Sequence, residues 1–151
     1  MDFEILFKVA NCLVFPQWAL MFFLPSSKAT RFLLKYQPIV IVLSVMYIFM
    51  FGQGEPNPDG NFTSLSGVMA LFTSPPAVLA GWTHYLAFDM LIGSVVLADS
   101  RKRGIPHLAI TPVLFLCFMA GPTGILLYGV VLLTFKFVKK LPYNDSGILD
   151  S

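Results

Sequence analysis

Long apolar runs, separated by short polar or proline-rich stretches, are the dominant pattern of this chain. The runs cover about residues 3–24, 36–51, 77–99 and 105–137. A helix that crosses a bilayer needs about 20 predominantly apolar residues. The pattern therefore predicts an all-α integral membrane four-helix bundle, built as a single transmembrane domain over residues 1–151.

The connecting segments add one further element. Residues 52–61 are dense in Gly, Pro, Asn and Asp, which predicts a loop. Residues 62–72 are amphipathic but too short to cross a bilayer, so they predict an interfacial or re-entrant helix. The basic stretch 28–35 predicts a short loop, and the polar residues 142–151 predict a disordered tail.

The last apolar run is unusually long. At 1.5 Å per residue it would measure about 50 Å, whereas the hydrocarbon core is about 30 Å thick. The sequence Gly121-Pro122-Thr123-Gly124 in its middle predicts a break or a strong kink. With four spans, the basic residues of 28–35 and 101–103 share the cytoplasmic side, and Lys136 falls on the opposite side.

Composition agrees with a membrane protein. Hydrophobic residues make up 56% of the chain and charged residues 12%, about half the share of a soluble domain. The net charge of +2 gives no reason to expect a nucleic-acid partner. The acidic start, with Asp2 and Glu4, does not resemble a cleavable signal, so we expect a retained first helix and a multi-pass protein of the bacterial inner membrane. Cys12 and Cys117 are interpreted as small buried hydrophobic residues.

The third run carries the candidate chemistry. Asp89 lies near its middle, where a carboxylate costs about 2.5–3.5 kcal/mol on insertion scales. On a helix, Trp82, Tyr85 and Asp89 occupy positions i, i+3 and i+7 of one face, and Gly93 extends that face. His84 lies about 140° away from Asp89, so the two residues either flank one cavity or bond to different helices.

Two interpretations of these residues remain open. In the functional one, the apolar setting keeps Asp89 protonated and able to donate to an oxygen, while His84 accepts a proton. Trp82 and Tyr85 then hold a cationic intermediate against their rings. In the structural one, Asp89 and His84 form a polar network that fixes helix packing.

Other residues give less specific signals. Trp18 is interpreted either as an interface anchor or as part of a ligand wall. Asp99 is expected to pair with Arg101 or Arg103 at the surface, and His107 is expected to be solvated. No metal-binding or nucleotide-binding motif occurs in the sequence, so no metal and no cofactor are expected.

Several stretches together resemble a known family. They are Pro16-Gln-Trp18, Phe72-Thr-Ser-Pro-Pro-Ala-Val-Leu-Ala80, Leu79-Ala-Gly-Trp-Thr-His-Tyr-Leu-Ala-Phe-Asp-Met-Leu-Ile-Gly93, Arg103-Gly-Ile-Pro-His107 and Gly121-Pro-Thr-Gly-Ile-Leu-Leu-Tyr128. In this order they resemble the abscisic-acid-deficient-4-like family. Plant members are plastid membrane proteins needed for carotenoid biosynthesis, at the step that opens a violaxanthin epoxide to give the allene of neoxanthin.

The resemblance implies an isomerase-like activity on a carotenoid or related isoprenoid. The positions that match the family's most specific stretch are Trp82, His84, Tyr85 and Asp89, which implies catalytic roles for Asp89 and His84. Substrate contacts are then expected from Trp82, Tyr85, Gly93 and Trp18. The alternative is a non-catalytic membrane protein that binds or organises isoprenoid lipids or pigment enzymes. Expected partners are the lipid bilayer and an apolar isoprenoid ligand, and a homo-oligomer is compatible with the sequence.

Overall fold

The computed structural model describes residues 2–54 and 57–139, and the side chains of 138 and 139 are not described. All regular structure in these residues is helical, which confirms the all-α class. The seven helices are α1 (Phe3–Phe23), α2 (Lys28–Tyr36), α3 (Pro38–Phe51), α4 (Leu65–Leu71), α5 (Pro75–Lys102), α6 (His107–Met119) and α7 (Gly121–Lys139). The predicted tail, residues 142–151, lies outside the described residues.

Three helical runs are long and apolar enough to cross a membrane, and a fourth results if α4 and α5 count as one broken span. By length and composition alone, the three are α1, the α2–α3 run and the α6–α7 run. The last of these is not one continuous span, because its second half turns back on its first half. The axis of α4 is bent by 102° from that of α5, which confirms the predicted interfacial or re-entrant helix. Only Leu43 and Met50 of α3 are buried, so most of this helix faces outward and fits contact with lipid.

The segment predicted as a basic loop between the first two runs is instead helix α2. Its first turn is capped by Ser27, whose Oγ accepts a hydrogen bond of 3.0 Å from the Thr30 backbone N–H. Gln37 then adopts a left-handed conformation with φ of 48°. The residue before a proline is disfavoured in the right-handed helical region, so Pro38 explains why α2 ends there and α3 begins.

Helix α5 lies at the centre of the bundle, against α1, α3, α6 and α7. Near one end of α5, the Trp82 indole N–H donates to Asn11 Oδ1 of α1 over 3.2 Å. Near the other end, an Arg101 guanidinium N–H donates over 2.7 Å to the carbonyl oxygen of Pro25, just after α1. These two contacts show that α1 and α5 run in the same direction.

The last apolar run reverses direction at Ala120, where the predicted break occurs. A Cβ atom at Gly124 would lie 2.6 Å from the backbone N and 2.8 Å from the Cα of Cys117. In a straight helix, residues seven apart are separated by about 10 Å along the axis. Helix α7 therefore folds back against α6 as a helical hairpin. Tyr128 of α7 accordingly lies at the end of α5, where its hydroxyl donates to Asp99 Oδ2 over 2.5 Å.

The reversal changes the expected position of the C-terminal basic residues. Helix α6 has 13 residues, which corresponds to about 20 Å and is shorter than a ~30 Å hydrocarbon core. The hairpin turn accordingly meets α5 near its middle, at Asp89, the fifteenth of its 28 residues. Lys136 then comes to the same end of the bundle as residues 101–103, in agreement with the clustering of basic residues on one side of a membrane.

Cysteine labelling tests this topology. We expect Lys102→Cys and Lys136→Cys to react with a membrane-impermeant maleimide from the same side of sealed vesicles, because α7 returns to the end where α5 finishes. Asp59→Cys, in the exposed loop before α4, should react only from the other side. The native protein, which carries Cys12 and Cys117, supplies the background. Labelling of Lys136→Cys and Asp59→Cys from the same side of the vesicles would contradict the hairpin.

Candidate functional site around Asp89

One face of α5 brings together three of the residues singled out from the sequence. The rings of Trp82 and Tyr85 lie 5.4 Å apart, and Asp89 follows one turn later. Trp82 also contacts the Phe7 ring of α1, with centroids 5.6 Å apart. Exposure falls along this face, from 37% at Trp82 to 5% at Asp89. The face therefore leads from the apolar surface of the bundle to a buried carboxyl group.

The carboxyl group of Asp89 lies at the turn of the α6–α7 hairpin. The Tyr85 hydroxyl and the backbone N–H of Gly121 both interact with it. Gly121 is the first residue of α7, where free N–H groups and the helix dipole favour an acceptor. A Cβ atom at this position would overlap Asp89 Oδ1, so the close approach requires glycine.

The second oxygen of the same carboxyl group is unusual. Asp89 Oδ2 is buried and has no hydrogen-bond partner among the described residues. Most buried polar atoms in proteins do have a partner, and one without it calls for an explanation such as a catalytic role or a bound molecule. This oxygen is therefore the most informative atom of the site.

Tyr85 connects the site to the end of α6. Its hydroxyl donates a hydrogen bond of 2.6 Å to the backbone carbonyl of Met119, one of the terminal carbonyls that no later residue of α6 can satisfy. The residue is half-buried, at the border between Asp89 and the outer surface. Tyr85 thus holds the hairpin turn against α5 and places a phenol hydroxyl beside the carboxyl group.

Trp18 and Gly93 meet in the core rather than at the membrane interface. Trp18 is 3% exposed, and a Cβ atom at Gly93 would overlap its ring. The interpretation of Trp18 as an interface anchor is therefore wrong, because the missing side chain of Gly93 lets α1 bring the indole inside. One residue away on each helix, the Gln17 amide donates to Ser94 Oγ over 3.0 Å.

His84 lies apart from Asp89. Its ring stacks on Phe88, with centroids 4.4 Å apart, and lies 5.7 Å from the ring of Tyr47 in α3. It lines a cavity of about 550 Å³ whose lining does not include Asp89. The two residues therefore do not flank one cavity, and His84 packs against α3 through ring contacts and not through a hydrogen bond.

The remaining expectations have mixed outcomes. Asp99 pairs with Arg103 over 2.6 Å, as expected. His107 is not simply solvated, because a ring nitrogen lies 2.8 Å from the carbonyl oxygen of Phe22. Cys117 is buried as expected, whereas Cys12 is exposed on the apolar surface of α1. In the part of the chain that is described, no three His, Cys, Asp or Glu side chains lie together as a metal site would require.

Sequence reasoning missed the role of Gly121 and the partner of Tyr85. The glycine- and proline-containing stretch 121–124 predicted a break, but a break alone does not reveal which residue of another helix lies at the turn. A small residue at the first position of a helix was the available signal for Gly121. The contact of Tyr85 with the Met119 carbonyl could not be predicted from the sequence, because every helix ends with unsatisfied carbonyl groups.

The fold and this site define a class: a small multi-pass membrane protein with a buried carboxyl group at the turn of an intramembrane helical hairpin. The sequence profile of the ABA DEFICIENT 4-like family matches residues 5–128, and the chain belongs to this family. Comparisons with characterised proteins and with solved structures found no match.

Proposed function

We propose that this protein is a membrane-embedded isomerase that opens the epoxide of a carotenoid or related isoprenoid. The observation that carries the proposal is the buried Asp89 Oδ2 atom, which lacks a partner in the described structure and lies behind an aromatic pair. A carboxyl group in an apolar setting favours its protonated form, which can donate a proton to an oxygen. Family membership supports the substrate class.

The reaction consumes and releases nothing, as an isomerisation requires. The Asp89 proton passes to the epoxide oxygen while the carbon–oxygen bond breaks, and its electron pair stays on the oxygen to give a hydroxyl group. The rings of Trp82 and Tyr85 stabilise the tertiary cation through their π faces. The neighbouring vinylic C–H bond then breaks, its electrons form the new double bond, and the proton returns to the Asp89 carboxylate.

This scheme assigns the base to Asp89 rather than to His84. His84 lines a cavity on a different side of α5, so it is not placed to act on the same substrate carbon. The epoxide oxygen and the vinylic hydrogen are close neighbours in the substrate, so one carboxyl group reaches both in turn. Gly121 contributes by holding Oδ1 at the helix N-terminus, which leaves Oδ2 for the substrate.

Pigment analysis tests the function directly. Expression in a bacterial host that accumulates violaxanthin should yield a new allenic isomer with the same mass as the substrate. An empty vector supplies the control, and membrane insertion is checked by immunoblot of the membrane fraction. A correctly inserted protein that leaves the pigment unchanged would contradict this proposal.

A non-catalytic protein that binds or organises isoprenoid lipids is the second candidate. The contact between Asp89 and Gly121 favours it, because a carboxylate at the start of α7 stabilises a helix N-terminus without any chemistry. Under this alternative, the pigment co-purifies with the protein and its structure does not change. The pigment experiment therefore separates the two candidates.

A further inference from the structure

The cavity beside His84 is independent of the Asp89 site. It lies between the end of α3, the loop before α4, α4 itself and the first three turns of α5. Its volume of about 550 Å³ falls within the range of roughly 300–1,000 Å³ that is usual for small-molecule sites. Its lining includes Tyr47 of α3, Phe62 and Phe72 on either side of α4, and Ala77 and His84 of α5.

The walls are apolar and rich in aromatic rings, and no charged side chain is among the lining residues that the structure describes. Two of the polar side chains in the wall, Asn57 and Thr73, are already hydrogen-bonded. The Asn57 amide donates to the Ala70 carbonyl over 2.9 Å and to Thr73 Oγ1 over 3.2 Å. Thr73 in turn donates to the same carbonyl over 2.8 Å.

His84, like the hydroxyl groups of Tyr47 and Ser74, has no hydrogen bond in the part of the chain that is described. Its imidazole stacks on Phe88 and contacts the ring of Tyr47. It is exposed, and it lies in the third turn of α5, which together with α4 forms a candidate broken span. A polar side chain at membrane depth that lines a cavity marks a binding site more often than a packing site.

We propose that this cavity binds the ring of a neutral isoprenoid lipid, and that His84 forms a hydrogen bond with a ring hydroxyl group. The described wall offers no charged side chain to a phospholipid headgroup, and the aromatic rings suit a branched cyclic group. The volume accommodates a ring and a short part of a chain, so a longer chain extends into the bilayer. The isoprenoid identity rests on the proposed function, whereas the aromatic wall and the His84 imidazole of the cavity support the ring and the hydrogen bond.

Two soluble probes test the site: 3-hydroxy-β-ionone and β-ionone, which differ by one ring hydroxyl group. Equilibrium dialysis against the purified full chain in detergent micelles measures their binding. We expect Ala77→Phe, which fills the cavity, to weaken binding of both probes at least about tenfold. Val78→Phe is the matched control, because Val78 is the next residue, is 52% exposed and is not part of the lining. It should bind both probes as the native protein does.

His84→Leu tests the hydrogen bond at nearly constant volume. We expect this variant to weaken the binding of 3-hydroxy-β-ionone about two- to tenfold, which is the range for one neutral hydrogen bond. The binding of β-ionone should not change. Equal binding by the Ala77→Phe and Val78→Phe variants would show partition into micelles only and would overturn the site. Equal loss of both probes in His84→Leu would overturn the hydrogen bond.

Asp89→Asn separates this inference from the proposed function. Because the cavity lining does not include Asp89, the variant should bind both probes with native affinity even where isomerisation is lost. Loss of probe binding in Asp89→Asn would contradict the independence of the two sites. Probe binding without any isomerase activity in the native protein would support the cavity and reject only the enzymatic proposal.

Discussion

Asp89→Asn is expected to lower isomerisation at least about 100-fold while the protein remains folded. General acid–base catalysis typically contributes about 10²- to 10⁴-fold to a rate. An asparagine side chain keeps an acceptor oxygen for the Gly121 N–H but cannot exchange the proton that the reaction needs. The measurement is the initial rate of product formation, by chromatography of pigments, at equal amounts of protein in the membrane.

Two further variants separate the role of Asp89 as a proton donor from its role as an acceptor at the N-terminus of α7. Asp99→Asn makes the same chemical change in the same helix, at a carboxylate paired with Arg103, and should retain activity. Asp89→Ala removes the acceptor as well, so it should also lower the unfolding temperature, in line with about 0.5–2 kcal/mol for a lost cap. Full activity of Asp89→Asn would eliminate the catalytic role of this residue.

Gly124→Ala is expected to cause the largest loss of stability among the glycine variants of α7. Its Cβ atom would meet the backbone of Cys117, which cannot move aside as a side-chain end can. Overpacking of this kind typically costs about 1–3 kcal/mol. The two helices of the hairpin must then separate, which also moves Gly121 away from Asp89, so activity should fall with stability.

Gly129→Ala is the matched control in the same helix. No atom of the described residues lies within 4 Å of a Cβ atom there, and alanine is favoured over glycine in a helix by up to about 1 kcal/mol. Thermal unfolding in detergent should therefore give a native or higher melting temperature for Gly129→Ala and a lower one for Gly124→Ala. Equal melting temperatures would contradict the close packing of α6 and α7.

Several features of the site were predictable because they depend on local geometry. Trp82, Tyr85 and Asp89 share a face because positions i, i+3 and i+7 always do in a helix. The break in the last apolar run follows from the backbone preferences of glycine and proline at 121–124. The short helix α4 follows from a run that is too short to cross a bilayer.

Features that depend on which helices meet were not predictable. His84 and Asp89 lie five residues apart, and only the packing of α3 on one side and α7 on the other separates them into a cavity and a buried site. The sequence likewise left Trp18 open between the interface and a ligand wall. Its burial depends on the gap that Gly93 leaves on another helix.

The sequence by itself determined that this chain is an all-α membrane protein with a carboxyl group placed deep in one span. The tertiary structure alone decided that α7 turns back on α6, that the turn meets Asp89, and that His84 belongs to a different cavity. The physical reason is that the solvent around the helices is lipid and not water. In a bilayer, side chains that face lipid and side chains that face protein are equally apolar, so the hydrophobic pattern gives the span and not the face that packs.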